Sequence, residues 1–221
     1  MRGWRAMTTT IPPEAVDFLR EAARLNDSKL GIHVLDAAAS SRQTEQMRGI
    51  SVCDRLGLVV LDDANDSNPY CYITKGATAG IVVHFSHDPE PRIKFVSLEA
   101  FRAFLASLRD TRQELWSVEI PSPAHPQQGL LAAHLGDLAA QALDDAAEFL
   151  ICLYLPLVRG DASSVLARFL ASESFFVREA VAEVIGTARL SDSRDLLKEL
   201  REDKHPQVRK AAERASKVWR V

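Results

Sequence analysis

The chain has 221 residues, 47% hydrophobic and 26% charged, enough to bury the core of one large or two small domains, which excludes a disordered or fibrous polymer. Its formal net charge of −3 gives no global attraction to nucleic acid or acidic membranes. The charge is uneven: residues 189–221 hold ten Lys+Arg against six Asp+Glu, a local balance of +4, and the remaining residues carry −7.

The three cysteines, Cys53, Cys71 and Cys152, are odd in number and lack CxxC spacing. They predict neither a disulfide framework nor a zinc knuckle, and reduced thiols in a cytoplasmic protein are the plain reading. The segment from Met1 to Thr10 is basic but no apolar segment follows it, unlike a signal peptide, and Met7 is a candidate start. The longest apolar run, Phe149 to Leu155, is too short to span a bilayer.

In chain order, Ile11-Pro12-Pro13-Glu14 opens a helix whose apolar face is Ala15, Phe18, Leu19, Ala22 and Leu25. Asn26-Asp27-Ser28 ends it. Leu30 to Leu35 is expected as a strand, and residues 37–49 as helix or loop. A β-rich block follows: strands near 57–61, 70–74, 80–85 and 93–95, separated by turn formers such as Asp62 to Pro69. Turns this short favour antiparallel pairing, because parallel crossovers need a dozen or more residues. Ser97 then caps a helix with the apolar stripe Leu98, Phe101, Phe104, Leu105 and Leu108, placed to cover one face of the sheet.

Pro121, Pro123 and Pro126 mark a linker over about 121–129. Beyond it only helices are expected, beginning with one from Leu135 to Leu157. The predicted fold class is α+β: a small antiparallel sheet domain flanked by helices (residues 10–120), then an all-α domain (130–221).

Two C-terminal segments resemble each other at a constant offset of 31: Val165-Leu166 with Val177-Arg178-Glu179-Ala180-Val181, and Leu196-Leu197 with Val208-Arg209-Lys210-Ala211-Ala212. Gly160-Asp161 is expected to stop one helix and cap the next. Each unit is a helix, a break and a second helix. The second break, Asp203-Lys204-His205-Pro206, followed by Val208-Arg209 and small residues, resembles the HEAT-like repeat family. The first unit has Phe175 in place of Pro206 and is degenerate. The resemblance implies a solenoid fragment used for protein binding; a plain helical bundle is the alternative. Units of this size need neighbours to bury their apolar faces.

Gly57-Leu58-Val59-Val60-Leu61-Asp62, Tyr70-Cys71-Tyr72-Ile73-Thr74, Gly80-Ile81-Val82-Val83-His84-Phe85-Ser86-His87-Asp88 and Phe95-Val96-Ser97-Leu98-Glu99-Ala100-Phe101 are together similar to the SUKH superfamily. The resemblance is loose over 11–110 and better over 57–105. It implies a small α+β domain, of which many bacterial members are immunity proteins that neutralise a cognate toxin. The usual first helix and Gly-rich turn of that family are only weakly matched, and residues 30–50 match no part of it.

Chemistry has few candidates. His84 and His87 lie three apart on a strand and point to opposite faces unless the strand ends between them, so turn roles are expected over metal binding. Cys71 reads as a small core residue. Asp62, Asp63, Asn65 and Asp66 lack the spacing and bidentate Glu of a calcium loop. No catalytic residue, metal ligand, cofactor or small-molecule substrate is assigned, and no enzyme is expected.

The leading expectation is a bacterial, cytoplasmic protein-binding module, an immunity protein whose partner is a cognate toxin. Its partner contacts would be the acidic turn with Asp62, Asp63 and Asp66 and the loop with His87, Asp88 and Glu90. Toxins acting on nucleic acid tend to have basic clefts, which suits an acidic N-terminal domain. The alternative is a HEAT-repeat scaffold or nucleic-acid-binding face made by Arg178, Arg209, Lys210, Arg214 and Lys217; two repeats give it a small footprint, and no membrane is expected as partner.

Overall fold

In a computed structural model, which describes residues 11–63, 68–86 and 91–218, the chain is α+β and divides into two compact units, Met1–Pro121 and Ser122–Val221.

The first unit opens with α1 (Pro13–Ala22), which starts on a proline and buries Ala15, Phe18, Leu19 and Ala22. Helices α2 (Ala37–Gln46) and α3 (Ser51–Leu56) precede the sheet. The Asp36 carboxylate caps α2 by accepting from the Ala39 N–H at 2.7 Å. Strands β1 (Leu58–Val60), β2 (Tyr70–Ile73), β3 (Val82–His84) and β4 (Arg92–Phe95) form a four-stranded sheet in sequence order, with every pair antiparallel. Short turns leave no length for a crossover, so each strand pairs with the next. Helix α4 (Leu98–Thr111) starts where the Ser97 hydroxyl accepts from the Ala100 N–H at 3.1 Å. Its Phe101 ring lies 5.6 Å from Phe18 of α1, 4.8 Å from Tyr70 of β2 and 4.9 Å from Phe95 of β4, and these four rings tie helices to sheet.

β1 is an edge strand, and its open backbone is closed by side chains. The Val60 N–H donates to the Thr44 hydroxyl at 2.9 Å, and the Ser40 hydroxyl donates to the Val60 carbonyl at 2.5 Å. Helix α2 thus does for this edge what another strand would do.

The expected strand over Leu30–Leu35 is reduced to two isolated bridges, Ile32 with Asp27 and Val34 with Asp62. The preceding residues fold into a single 3-10 turn (Ser28–Leu30) ended by Gly31 at φ +71°, which leaves too few residues for a ladder. Helix α3 was not expected at all.

The second unit holds α5 (Gln128–Ala139), α6 (Asp145–Tyr154), α7 (Ser163–Ala167), α8 (Phe175–Thr187), α9 (Leu196–Leu200) and α10 (Pro206–Lys217). The single helix expected over 135–157 is broken at 140–144. The Asp144 carboxylate accepts from the Ala147 N–H at 2.7 Å and starts α6 afresh. Asp161 does not cap α7, whose N-cap is Ala162 with no side-chain bond. Nor are residues 122–129 a free linker. The His125 N–H donates to the Leu157 carbonyl at 3.0 Å, and the Arg159 guanidinium donates to the Ser122 carbonyl at 2.9 Å.

α8 and α10 begin at residues 175 and 206, the offset of 31 seen in the sequence. Val177, Val181 and Val184 are buried, as are their counterparts Val208, Ala212 and Ala215. The two helices pack so closely that a Cβ on Gly186 would lie 2.8 Å from the Ala215 Cα.

Candidate functional site

The first unit has a cleft of about 330 Å3. Its walls are built by three segments. The first is the turn after α1, pinned where the Asn26 amide donates to the Val34 carbonyl at 2.9 Å and accepts from the Val34 N–H at 2.7 Å. This bracket places Ser28, Gly31 and His33 along one side. The second is the chain leaving β1. The Asp63 N–H donates to the His33 carbonyl at 3.0 Å, which sets Asp62 and Asp63 beside His33. The third is a 3-10 turn, Leu115–Ser117, that follows α4 and carries Trp116. Tyr70 and His84, paired across β2 and β3 with rings 4.6 Å apart, also line the cleft.

Trp116 is 68% exposed, the largest exposure of any apolar side chain of its size among the described residues. Its six-membered ring covers Gly31 so closely that any Cβ there would collide with it. Gly31 also holds a positive φ, so only glycine satisfies both demands. The indole thus rests against the Gly31 backbone while most of its surface stays open to solvent.

The two aspartates differ. Asp62 is 5% exposed, and its carboxylate accepts from the Tyr70 N–H at 2.6 Å, a strand-starting role rather than a surface contact. Burial first, and the Asp62 charge second, push the Tyr70 phenol far above its ordinary value, so it stays a neutral hydroxyl. Asp63 is half-buried, and among the described residues no hydrogen bond or ion pair reaches its carboxylate. Asp66, His87, Asp88 and Glu90, also expected as partner contacts, lie outside the described residues.

A larger cleft, about 520 Å3, lies between α1 and α4. Most of its charges are paired: Arg102 with Glu99 at 2.7 Å and with Glu21 at 3.4 Å, and Arg20 with Asp17. It is a solvated ionic surface.

The expected basic face loses its first member. Arg178 is 3% exposed. Its guanidinium makes a bidentate pair with Asp203, at 2.6 and 3.0 Å, and donates to the Ser172 and Glu173 carbonyls at 2.5 and 3.2 Å. Arg209 is half-buried and repeats the carbonyl contacts 31 residues on, to Asp203 and Lys204 at 2.7 and 3.1 Å. Arg214 is exposed but faces Glu183 at 3.4 Å and Glu179 at 4.0 Å. Lys210 and Lys217 remain as exposed cations.

The acidity is also placed differently from expectation. Residues 1–121 carry 14 Lys+Arg against 16 Asp+Glu, net −2, whereas residues 122–188 carry three against eight, net −5.

Among the described residues, no group of three or more His, Cys, Asp or Glu is placed to hold a metal ion. The fully buried Cys71 thiol is pushed well above its ordinary pKa by burial, then by Asp62, so it remains a thiol. No helix among the described residues is long and apolar enough to cross a membrane.

Trp116, His33 and Tyr70 were not singled out from sequence. Trp116 sits in a segment without periodicity, and only its contact with a glycine 85 residues earlier marks it. The chain is an α+β protein whose first unit presents an acid-lined, aromatic-rimmed cleft. Comparison with models of known families, with curated proteins and with solved structures finds no match.

Proposed function

We propose that this chain is a non-catalytic protein-binding module, and specifically a bacterial, cytoplasmic immunity protein that binds and neutralises a cognate toxin. In this reading the first unit is of the SUKH kind and the C-terminal helices are HEAT-like repeats. The observation that carries it is Trp116, two-thirds exposed at a concave cleft that the Asp63 carboxylate also lines. Exposed tryptophans beside pockets are typical anchors of protein interfaces, because a large rigid ring is desolvated at little entropic cost. The repeated guanidinium-to-carbonyl contacts of Arg178 and Arg209, and the Arg178–Asp203 pair between successive units, support the repeat reading.

Co-expression with the product of the adjacent open reading frame tests the function. A toxic neighbour should be neutralised by this chain, and Trp116→Ala should weaken the complex by about 2 kcal/mol or more, the hot-spot range. If no neighbouring product is toxic or binds, the immunity reading fails.

A further inference from the structure

We infer that the cleft beside Trp116 is a receptor for one guanidinium group, supplied by an arginine side chain of the protein partner. The inference rests on the protein-binding reading and names the chemistry that its site accepts.

Three observations lead to it. Among the described residues, the cleft is lined by two carboxylates and two imidazoles, and by no Lys or Arg. Among the described residues, no hydrogen bond or ion pair reaches the carboxylate of Asp63, which lines the cleft. Trp116 lines the cleft with its six-membered ring against Gly31 and two-thirds of its surface exposed, and a cation is attracted to an accessible indole by the ring quadrupole.

The combination favours guanidinium over ammonium. A planar cation stacks on an indole while its edge donates to a carboxylate; a compact ammonium cannot do both with one flat surface. The volume, about 330 Å3, is at the small end for ligand sites, which run from about 300 to 1,000 Å3. It accommodates one long side chain rather than an extended cofactor. The Asp62 charge, buried and fixed on the Tyr70 N–H, adds to the negative potential without itself needing to move.

The test is a nitrogen–proton NMR titration of the full chain with N-acetyl-arginine methylamide, alongside the neutral citrulline counterpart of the same shape. The arginine probe should give saturable millimolar binding that shifts the Trp116 indole N–H and the Gly31 and Asp63 amides. The citrulline probe should bind about tenfold more weakly, as should the arginine probe to Asp63→Asn, the effect of about 1.4 kcal/mol. Trp116→Phe, which keeps a ring, should bind more tightly than Trp116→Ala, and the spectra themselves report whether each variant is folded. Equal shifts with both probes, shifts unaffected in Asp63→Asn, or no shifts at these three residues would overturn the inference. The function test fails separately: arginine binding without a toxic or binding neighbour defeats the immunity reading alone. A neutralised toxin with no arginine binding defeats the cleft inference alone.

Discussion

A guanidinium removed from water costs several kcal/mol unless its N–H groups all find acceptors. Arg178 makes four such bonds, two to a carboxylate and two to carbonyls, so the cost falls on whichever partner is left alone when the other is removed. Arg178→Met should therefore destabilise the second unit by about 3–5 kcal/mol, as breaking one side of a buried pair does. Urea unfolding followed by circular dichroism reads this directly. Arg209→Ala, at the same place in the next unit but half-buried and bonded only to carbonyls, should cost about 1–2 kcal/mol. Equal losses for the two would show that the Asp203 pair contributes nothing of its own. A pH dependence follows. The Arg178 hydrogen bond holds the Asp203 carboxyl below its ordinary range, with burial opposing it. A folded pKa below the unfolded one adds stability that is whole above the unfolded value, about 3.9, and is lost as pH falls through the folded value. Arg178→Met should reduce that acid-side loss, with the His205 N–H still holding Asp203 down in part. The sequence showed the Val-Arg motif but not its depth, because Asp203 lies 25 residues away and no local pattern records the pair.

At the scale of elements, the edge of the sheet is the place where a small change has a defined cost. Among the described residues, Thr44 supplies the only acceptor for the Val60 N–H, and both are buried. Thr44→Val keeps shape and removes that acceptor, so the N–H is left dry. The expected loss is about 1–3 kcal/mol, the penalty for one buried unsatisfied donor. Hydrogen exchange at the Val60 amide should accelerate more than at its neighbours on β2; unchanged exchange would mean that water already serves this edge. The four strands and α4 were legible, because alternation, turn residues and the Ser97 cap act over a few neighbours. The edge cover was not. Nothing in the polar run Ser40 to Gln46 says that two hydroxyls will meet one valine 16 to 20 residues later. The break between α5 and α6 was hidden for the opposite reason: Ala142 and Leu143 continue the apolar period through a turn that the Asp144 cap then closes. For the site, Asp62 and Asp63 were found by their turn chemistry, while Trp116 and His33 come together only through the fold.

For the whole molecule, the two units have separate cores of sufficient size: Leu19, Tyr70, Ile73 and Phe101 in one, Leu131, Leu135, Tyr154 and Ile185 in the other. The second should therefore fold as residues 122–221, and the strap at its start decides where it can be cut. The Gln128 amide donates to the Leu157 carbonyl at 3.0 Å and accepts from the Arg159 N–H at 2.8 Å, while the His125 N–H reaches the same Leu157 carbonyl at 3.0 Å. A fragment beginning at residue 130 loses all three contacts and the Arg159 bond to Ser122. At about 1 kcal/mol for each hydrogen bond the loss is about 3–4 kcal/mol, a large share of a stability of about 5–15 kcal/mol. A 100-residue unit shifts by about 4–8 °C for each kcal/mol, so the shorter fragment should melt more than about 10 °C below the longer one. Equal melting points would mean that residues 122–129 are dispensable, as a linker would be, and that the core of the second unit starts with α5 alone.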